Sequence, residues 1–473
     1  MDIPYEKTIA DLFRWRVAES GDDIAHKFLD KETTYSELDS FANKVAQGLI
    51  ALDCSPDSRV AFLGKNSDLF FEFLYGTIKS NTVTVGINWR LAPPEVAYII
   101  NDSKSEVLLV GPEFFGLIEE IKNDIPSVKK IITVGGNHDE WEDYSVWRDS
   151  QQDQDPMLES KGDDDVIQLY TSGTTGHPKG VQLTNDNFSS CFLMNEDSMY
   201  REMNEGEINL VCMPIFHVAG TNMGLAGMVT GAKNIIIPEV DPTLILRLIE
   251  EEKIQHALFV PAVILFLVQH PDAAHTDFSS LKTVIYGASP ITDDTLIKAM
   301  ELMQCDFWQV YGLTETNGAI TFLYPEDHDV SRGKLRSCGK AGKDVGLRVV
   351  DSDDNDVPIG EVGDRTILIS THQVEEIEGV LSDALFMNQG RVVMYDSIES
   401  INKKFLELRP NNDSIEKGRS LQPIHQRIEL GREVLLFEDT DEKKLSELGE
   451  VRPPFIADLF MAIMDKTKRG TEL

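Results

Sequence analysis

The run YTSGTTGHPKG, residues 170–180, concentrates hydroxyls, glycines and a lysine. Thr171, Ser172, Thr174 and Thr175, with Gly173 and Gly176 between them, let backbone N–H groups and side-chain O–H groups converge on phosphate oxygens. Lys179 adds a compact cation. Pro178 precedes that lysine and Gly180 follows it, so the spacing is not the GxxxxGK[ST] of P-loop NTPases. The chemistry expected of such a loop is phosphate binding.

A loop of this kind must be carried by ordered elements. VIQL, an apolar strand-like run, precedes it and VQLT follows. Upstream, RVAFLGKN, TVTVGIN, EVLLVG and KKIITVGG read as strands. YSELDSFANKVAQGLIAL, with Thr34 placed as its N-cap, LFFEFLYGTIKSN and PPEVAYIIND read as helices. Downstream, INLVCMP, NIIIP, HALFVP, TVIYGAS and FWQVYG repeat the strand pattern, with helical patterns between most of them. This alternation predicts parallel, doubly wound sheets. The acidic stretch RDSQQDQDPMLESKGDDD, residues 148–165, reads as a bridge between two such units.

The loop closely resembles the phosphate-binding signature of adenylate-forming enzymes, the group of acyl-CoA synthetases, luciferases and peptide-synthetase adenylation domains. Further segments of that family's pattern follow in order. VCMPIFHVAG contains His217; VIYGASPIT contains Gly287, Ala288 and Ser289; QVYGLTET contains Gln309, Tyr311, Gly312, Thr314 and Glu315. TYSELDSFANKVAQGL and INWRLAPPEVAYIIND resemble its N-terminal segments, and the resemblance runs from about residue 5 to 364. It implies that a carboxylate attacks the α-phosphorus of ATP, giving acyl-AMP and pyrophosphate, and that CoA thiolate then takes the acyl group. It also implies that the 171–180 loop holds the β- and γ-phosphates, Glu315 holds Mg²⁺, Thr314 contacts the α-phosphate, and Tyr311 stacks on adenine. A fatty acid is the expected substrate. His217 reads either as a core histidine or as a wall of the acyl pocket. Gly220, Gly224 and Gly227 read either as room for an acyl chain or as close helix packing.

After GEVGD the pattern changes. In its C-terminal part the family carries a ribose-binding TGD, a hinge arginine and a late catalytic lysine, yet here no TGD occurs and no Trp follows Trp308. RTILISTHQVEEIEGVLSDALFMNQGRVVMYDS resembles instead the end of the ATP-binding subunit of ABC transporters, with His372 at the position that senses a γ-phosphate there. The Walker A loop, the signature motif and the Walker B acidic pair are missing, so His372 is expected to have no catalytic role. The fold expected is α/β: an α/β subdomain over 1–155, a second over 165–335 with the ATP-binding motifs, a truncated β-barrel start over 336–364, and a partial P-loop-NTPase-like α/β tail over 365–473. The expectation is slow adenylation, an incomplete CoA site, and poor solubility or local disorder beyond about residue 340. A nucleotide-binding or inert fusion product is the alternative, and an ABC ATPase component a weaker one.

Composition narrows the partners. With 44 Lys+Arg against 80 Asp+Glu, the formal net charge is −36. Nucleic acids and anionic membranes, which recruit basic surfaces, are therefore not expected partners. A membrane partner would follow only from a working ABC-like tail. The N-terminus shows no basic segment followed by an apolar one, the five cysteines are scattered, and no CxxC occurs. A cytoplasmic protein without a zinc site is expected, its oligomeric state open. The apolar 208–238 stretch, interrupted by His217, Asn222 and Lys233, reads as buried core.

Overall fold

The computed structural model describes residues 3–171, 177–193, 199–343, 345–348, 383–388, 391–411, 414–429, 432–456, 458–460 and 462–463. Ser172, Gly173, Thr174, Thr175 and Gly176 lie outside them, as do His372, the 364–365 junction and the Asp-rich turn after Val350. The chain divides into two compact units, one of Met1–Ala288 with Thr292–Asp364, the other of Ser289–Ile291 with Arg365–Leu473.

Two sheets build the first unit. The nine-stranded sheet contains β1 (Ile24–Phe28), β2 (Lys31–Thr34), β10 (Ile208–Val211), β11 (Lys233–Ile236), β12 (His256–Phe259), β13 (Thr283–Gly287), β14 (Asp306–Leu313), β15 (Gly318–Leu323) and β16 (Lys340–Ala341). Their order is β16-β15-β14-β13-β12-β10-β11-β1-β2. The six from β14 to β1 are parallel, and β2, β15 and β16 pair antiparallel at the two edges. The second sheet contains β3 (Arg59–Leu63), β4 (Val83–Gly86), β5 (Val107–Val110), β6 (Lys130–Thr133), β7 (Glu142–Asp143), β8 (Asp165–Thr171) and β9 (Lys179–Thr184), in the order β7-β6-β5-β3-β4-β8-β9. Only β9 runs antiparallel there. β3, β4 and β5 are buried along their whole length, which explains their unbroken apolar runs.

Helix α1 (Ile9–Ser20) precedes the sheets, and α2 (Tyr35–Ala51) begins at Thr34, which forms a capping box with Glu37. α3 (Asp68–Lys79) is buried nearly throughout, and α4 (Pro93–Ser103) opens on prolines that pre-set its first turn. The 208–238 stretch is core: β10, the helix Val218–Thr230 and β11 bury almost every side chain. Among the described residues no helix is long and apolar enough to cross a membrane.

The 155/165 boundary needs correction, because it does not separate the sheets. β1 and β2, near the N-terminus, complete the nine-stranded sheet, and β8 with β9, downstream of the bridge, complete the seven-stranded one. Residue periodicity identifies a strand but not the edge it joins; that is set by long-range pairing such as His26 with Asn234. The acidic bridge is likewise held down. Both Asp155 carboxylate oxygens accept from Arg14 at 2.9 Å, and Lys79, wholly buried, reaches the same carboxylate at 2.8 Å. Asp153 accepts from Ser40 at 2.6 Å and Asn43 at 3.3 Å, and Gln47 donates to the Gln154 carbonyl at 2.7 Å.

In the second unit, strands Asp383–Asn388 and Arg391–Ser397 form a hairpin. A four-stranded sheet, in the order His425–Glu429, Arg432–Glu438, Phe405–Pro410, Gly449–Arg452, is antiparallel throughout. Alternation along its central strands feeds two clusters: Phe405 and Leu436 pack with Ile401, Ile456 and Leu459, whereas Leu406, Leu408, Leu435 and Phe437 pack with Leu445. The described part of the tail thus buries apolar side chains on both faces of its sheet.

Candidate active site

The phosphate-type loop leaves β8 at Thr171 and returns at Lys179, and these two residues are cross-strand partners. Lys179 is exposed at the rim. Gly180 is required by its surroundings: a Cβ there would run into the Gln168 amide and lie 2.9 Å from the Tyr170 ring. The short turn Thr314–Thr316 follows β14 and packs against β9, and the Thr171 hydroxyl donates to Glu315 Oε1 at 3.4 Å. Loop shoulder and acidic motif, 144 residues apart, therefore meet.

β13 and β14 set the base of the site side by side, Gly287 opposite Val310. A Cβ on Gly287 would meet the Val310 carbonyl, and one on Gly312 the Gly318 carbonyl, so both glycines permit close strand approach. Ala288 follows with φ +68°, a left-handed conformation that turns the chain sharply out of the sheet. Ser289 falls in the second compact unit. Tyr311 leaves 46% of its surface open, an unusual exposure for an aromatic on a central strand. Gln309 donates to the Val310 carbonyl at 3.1 Å, and its Oε1 is buried with no protein partner, an acceptor available to an amino group of a bound base. These features fit a nucleotide.

Glu315 is the carboxylate at this junction that could hold Mg²⁺. Among the described residues no group of three or more His, Cys, Asp or Glu could cage an ion. Mg²⁺ held by one carboxylate plus substrate phosphates needs no cage.

His217 lies just before the helix Val218–Thr230. Its ring tilts against Phe216 at 4.5 Å, and Arg90 sits over Trp89 at 4.4 Å and over Phe216 at 5.8 Å. The residue keeps contact with solvent, yet protein crowds its imidazole, and this desolvation with the Arg90 charge lowers its pKa to about 4. It is neutral at pH 7. The helix that follows is tied to the acidic turn, Asn222 donating to the Asn317 carbonyl at 3.0 Å. Its glycines are committed to packing: a Cβ on Gly220 would meet the Met213 and Pro214 carbonyls, on Gly224 the Phe71 ring, and on Gly227 the Asn234 amide. They do not open an acyl channel.

Sequence reasoning missed the residues that hold these parts in place. Asn66, after the Gly turn of β3, donates to the Met213 carbonyl and accepts from Ile215 N–H, both at 3.0 Å, and so fixes the turn before His217. Its only sequence signal was an Asn at a strand end. Asn317, at φ +52°, closes the acidic turn.

A family profile described as AMP-binding enzyme matches residues 13–376. The chain belongs to the AMP-binding enzyme family. It is 32% identical over 345 residues to the fatty acid–[acyl-carrier-protein] ligase ScoC of Streptomyces coeruleorubidus, a match covering 72% of this chain and 65% of that protein. It is also 32% identical over 348 residues to the long-chain-fatty-acid–CoA ligase FadD13 of Mycobacterium tuberculosis, with the same coverage. The matches thus span about 65% of the length of these curated relatives. The N-terminal domain of FACL13 from Mycobacterium tuberculosis superposes with a TM-score of 0.68 at 29% identity, over 74% of this chain and 86% of that one. The α/β fold of this AMP-binding enzyme matches those of acyl-CoA ligases.

Proposed function

We propose that the chain carries the adenylation half of an acid–thiol ligase, activating a fatty acid with ATP. The observation that carries this reading is the contact of the Thr171 hydroxyl, cross-strand from Lys179, with the Glu315 carboxylate of a motif 144 residues away. A carboxylate oxygen attacks the α-phosphorus, the bond to the bridging oxygen breaks, and pyrophosphate leaves with that electron pair. Lys179 and the hydroxyls neutralise the polyanion that would otherwise repel the attacking carboxylate. Thr314 contacts the α-phosphate, Tyr311 offers its open face to adenine, and Gly287, Ala288, Ser289, Gln309 and Gly312 shape the base site. Ser172, Gly173, Thr174, Thr175 and Gly176 complete the phosphate loop. Mg²⁺, held by Glu315, would supply charge neutralisation on the phosphates. His217, neutral, lines the acid's approach without repelling or pairing with it. The fatty-acid class rests on the names of the two relatives, and the acceptor is a CoA or carrier-protein thiol.

Residues 365–473 carry none of the family's later motifs, and we infer that turnover by these 473 residues is slow and thioester formation slower still. We read the tail as the end of an ABC-type ATP-binding subunit joined near 364–365. The resemblance of the DALFMNQGRVVMYDS run supports that reading.

The test is pyrophosphate release from ATP and Mg²⁺ across a panel of fatty and aryl acids. Acid-dependent release should fall about 10²- to 10³-fold in Lys179→Ala and Glu315→Ala. Nucleotide binding without release would favour a non-catalytic binding protein. Acid-independent phosphate release lost in His372→Ala would favour an ATPase.

A further inference from the structure

We infer that α4 is the positioning element of the phosphate loop, Tyr98 and Asp102 holding its two shoulders at the spacing a nucleoside triphosphate needs. This rests on the adenylation reading above. The two residues stand four apart, one helical turn, on the same face of the helix. Asp102 Oδ2 accepts from the Tyr170 hydroxyl at 2.6 Å, and that hydroxyl accepts from Gln168 Nε2 at 3.0 Å. This fixes the outgoing strand one residue before Thr171. Tyr98 takes the returning strand: its hydroxyl donates to the Pro178 carbonyl at 3.3 Å, and its ring stacks on His177 with centroids 5.1 Å apart and planes 20° apart. Both anchors thus land on residues bordering the loop, directly before Lys179 on one side and Thr171 on the other.

The need for such a device follows from topology. Among the described residues β9 is an edge strand, paired only to β8, and no other strand fixes Lys179 from its outer side. α4 is itself immobilised, with Val96, Ile99 and Ile100 in the core of the seven-stranded sheet. It offers a rigid face to the end of this edge strand. Burial and the Asp102 charge also raise the pKa values of Tyr98 and Tyr170, so both hydroxyls stay protonated as donors through the neutral range.

The experiment uses the full chain with Tyr98→Leu, Tyr98→Phe, Asp102→Ala and Asp102→Asn. Two quantities are read: hydrogen exchange at the His177 and Lys179 amides, and KM for ATP and for the acid in pyrophosphate release. Tyr98→Leu and Asp102→Ala should speed exchange by about tenfold, the worth of one hydrogen bond of ~1.4 kcal/mol, and raise the ATP KM with the acid KM unchanged. Asp102→Asn, whose amide oxygen can still accept the Tyr170 hydroxyl, should restore most of both, whereas Tyr98→Phe, which keeps the ring stack but loses the hydroxyl donor, should show most of the Tyr98→Leu effect. Wild-type exchange in Tyr98→Leu and Asp102→Ala overturns the inference, as does an equal rise in both KM values. If the wild-type chain releases no pyrophosphate, the adenylation reading fails, and the exchange data alone decide whether α4 holds the loop.

Discussion

His26 shows how a single buried residue couples this fold to pH. It is 2% exposed, packs against the Phe71 ring at 5.1 Å, and has no partner for Nε2. Burial, reinforced by the Lys31 charge, lowers its pKa to about 3. Between pH ~6.5 and ~3 the unfolded chain binds a proton here that the folded chain refuses. Stability contributed by this site is therefore complete above that window and declines as the pH falls through it, by at most ~1.4 kcal/mol per pH unit. Replacement by Phe should flatten the stability–pH profile in that window, as read from urea midpoints; an unchanged profile would exclude His26 as a source of acid lability. Gly224 makes the steric counterpart. Gly224→Ala drives a methyl into the Phe71 ring in a closed core, and should cost about 1–3 kcal/mol in chemical denaturation. If Gly224→Ala is neutral, the helix is looser than its contacts indicate, and room for an acyl chain returns as an option.

Among the elements, the bridge of residues 148–165 behaves as a strap across α1, α2 and α3. Its centre is Asp155, whose carboxylate neutralises Lys79 inside the core and pairs with Arg14. Hydrogen bonds from Arg14, Lys79 and the Met157 amide outweigh its partial desolvation and hold its pKa well below the ordinary carboxylate value. A depressed pKa stabilises the fold fully above pH ~4, and that contribution fades as the pH falls toward the folded value. Asp155→Asn should cost about 2 kcal/mol near neutrality, less than for a lone buried pair because Lys79 keeps Asp39 and Asn43. The difference from wild type should shrink on acidification. A cost independent of pH would point to packing rather than charge.

For the whole molecule the governing quantity is the net charge of −36. Carboxylates this numerous repel one another in the compact state more than in the expanded one. Raising KCl from about 0.05 to 1 M contracts the screening length to ~3 Å, and the melting temperature should rise. A flat or falling melting temperature would show that local pairs, such as Lys31 with Asp68 and Lys233 with Glu32, already cancel the repulsion.

The amino-acid sequence alone determined the local terms. The Thr34 cap, the prolines opening α4, the buried runs of β3 to β5 and the order of the nucleotide motifs were all legible, because each depends on neighbours a few residues away. Tertiary structure decided the rest. Which sheet β1 and β8 complete, what Gly224 faces, that Thr171 meets Glu315 and that burial with the Arg90 charge depresses the basicity of His217 all depend on approaches between residues tens to hundreds of positions apart. Periodicity fixes which face of an element is apolar, but the partner of that face is chosen by packing of the whole chain, and no local pattern encodes it.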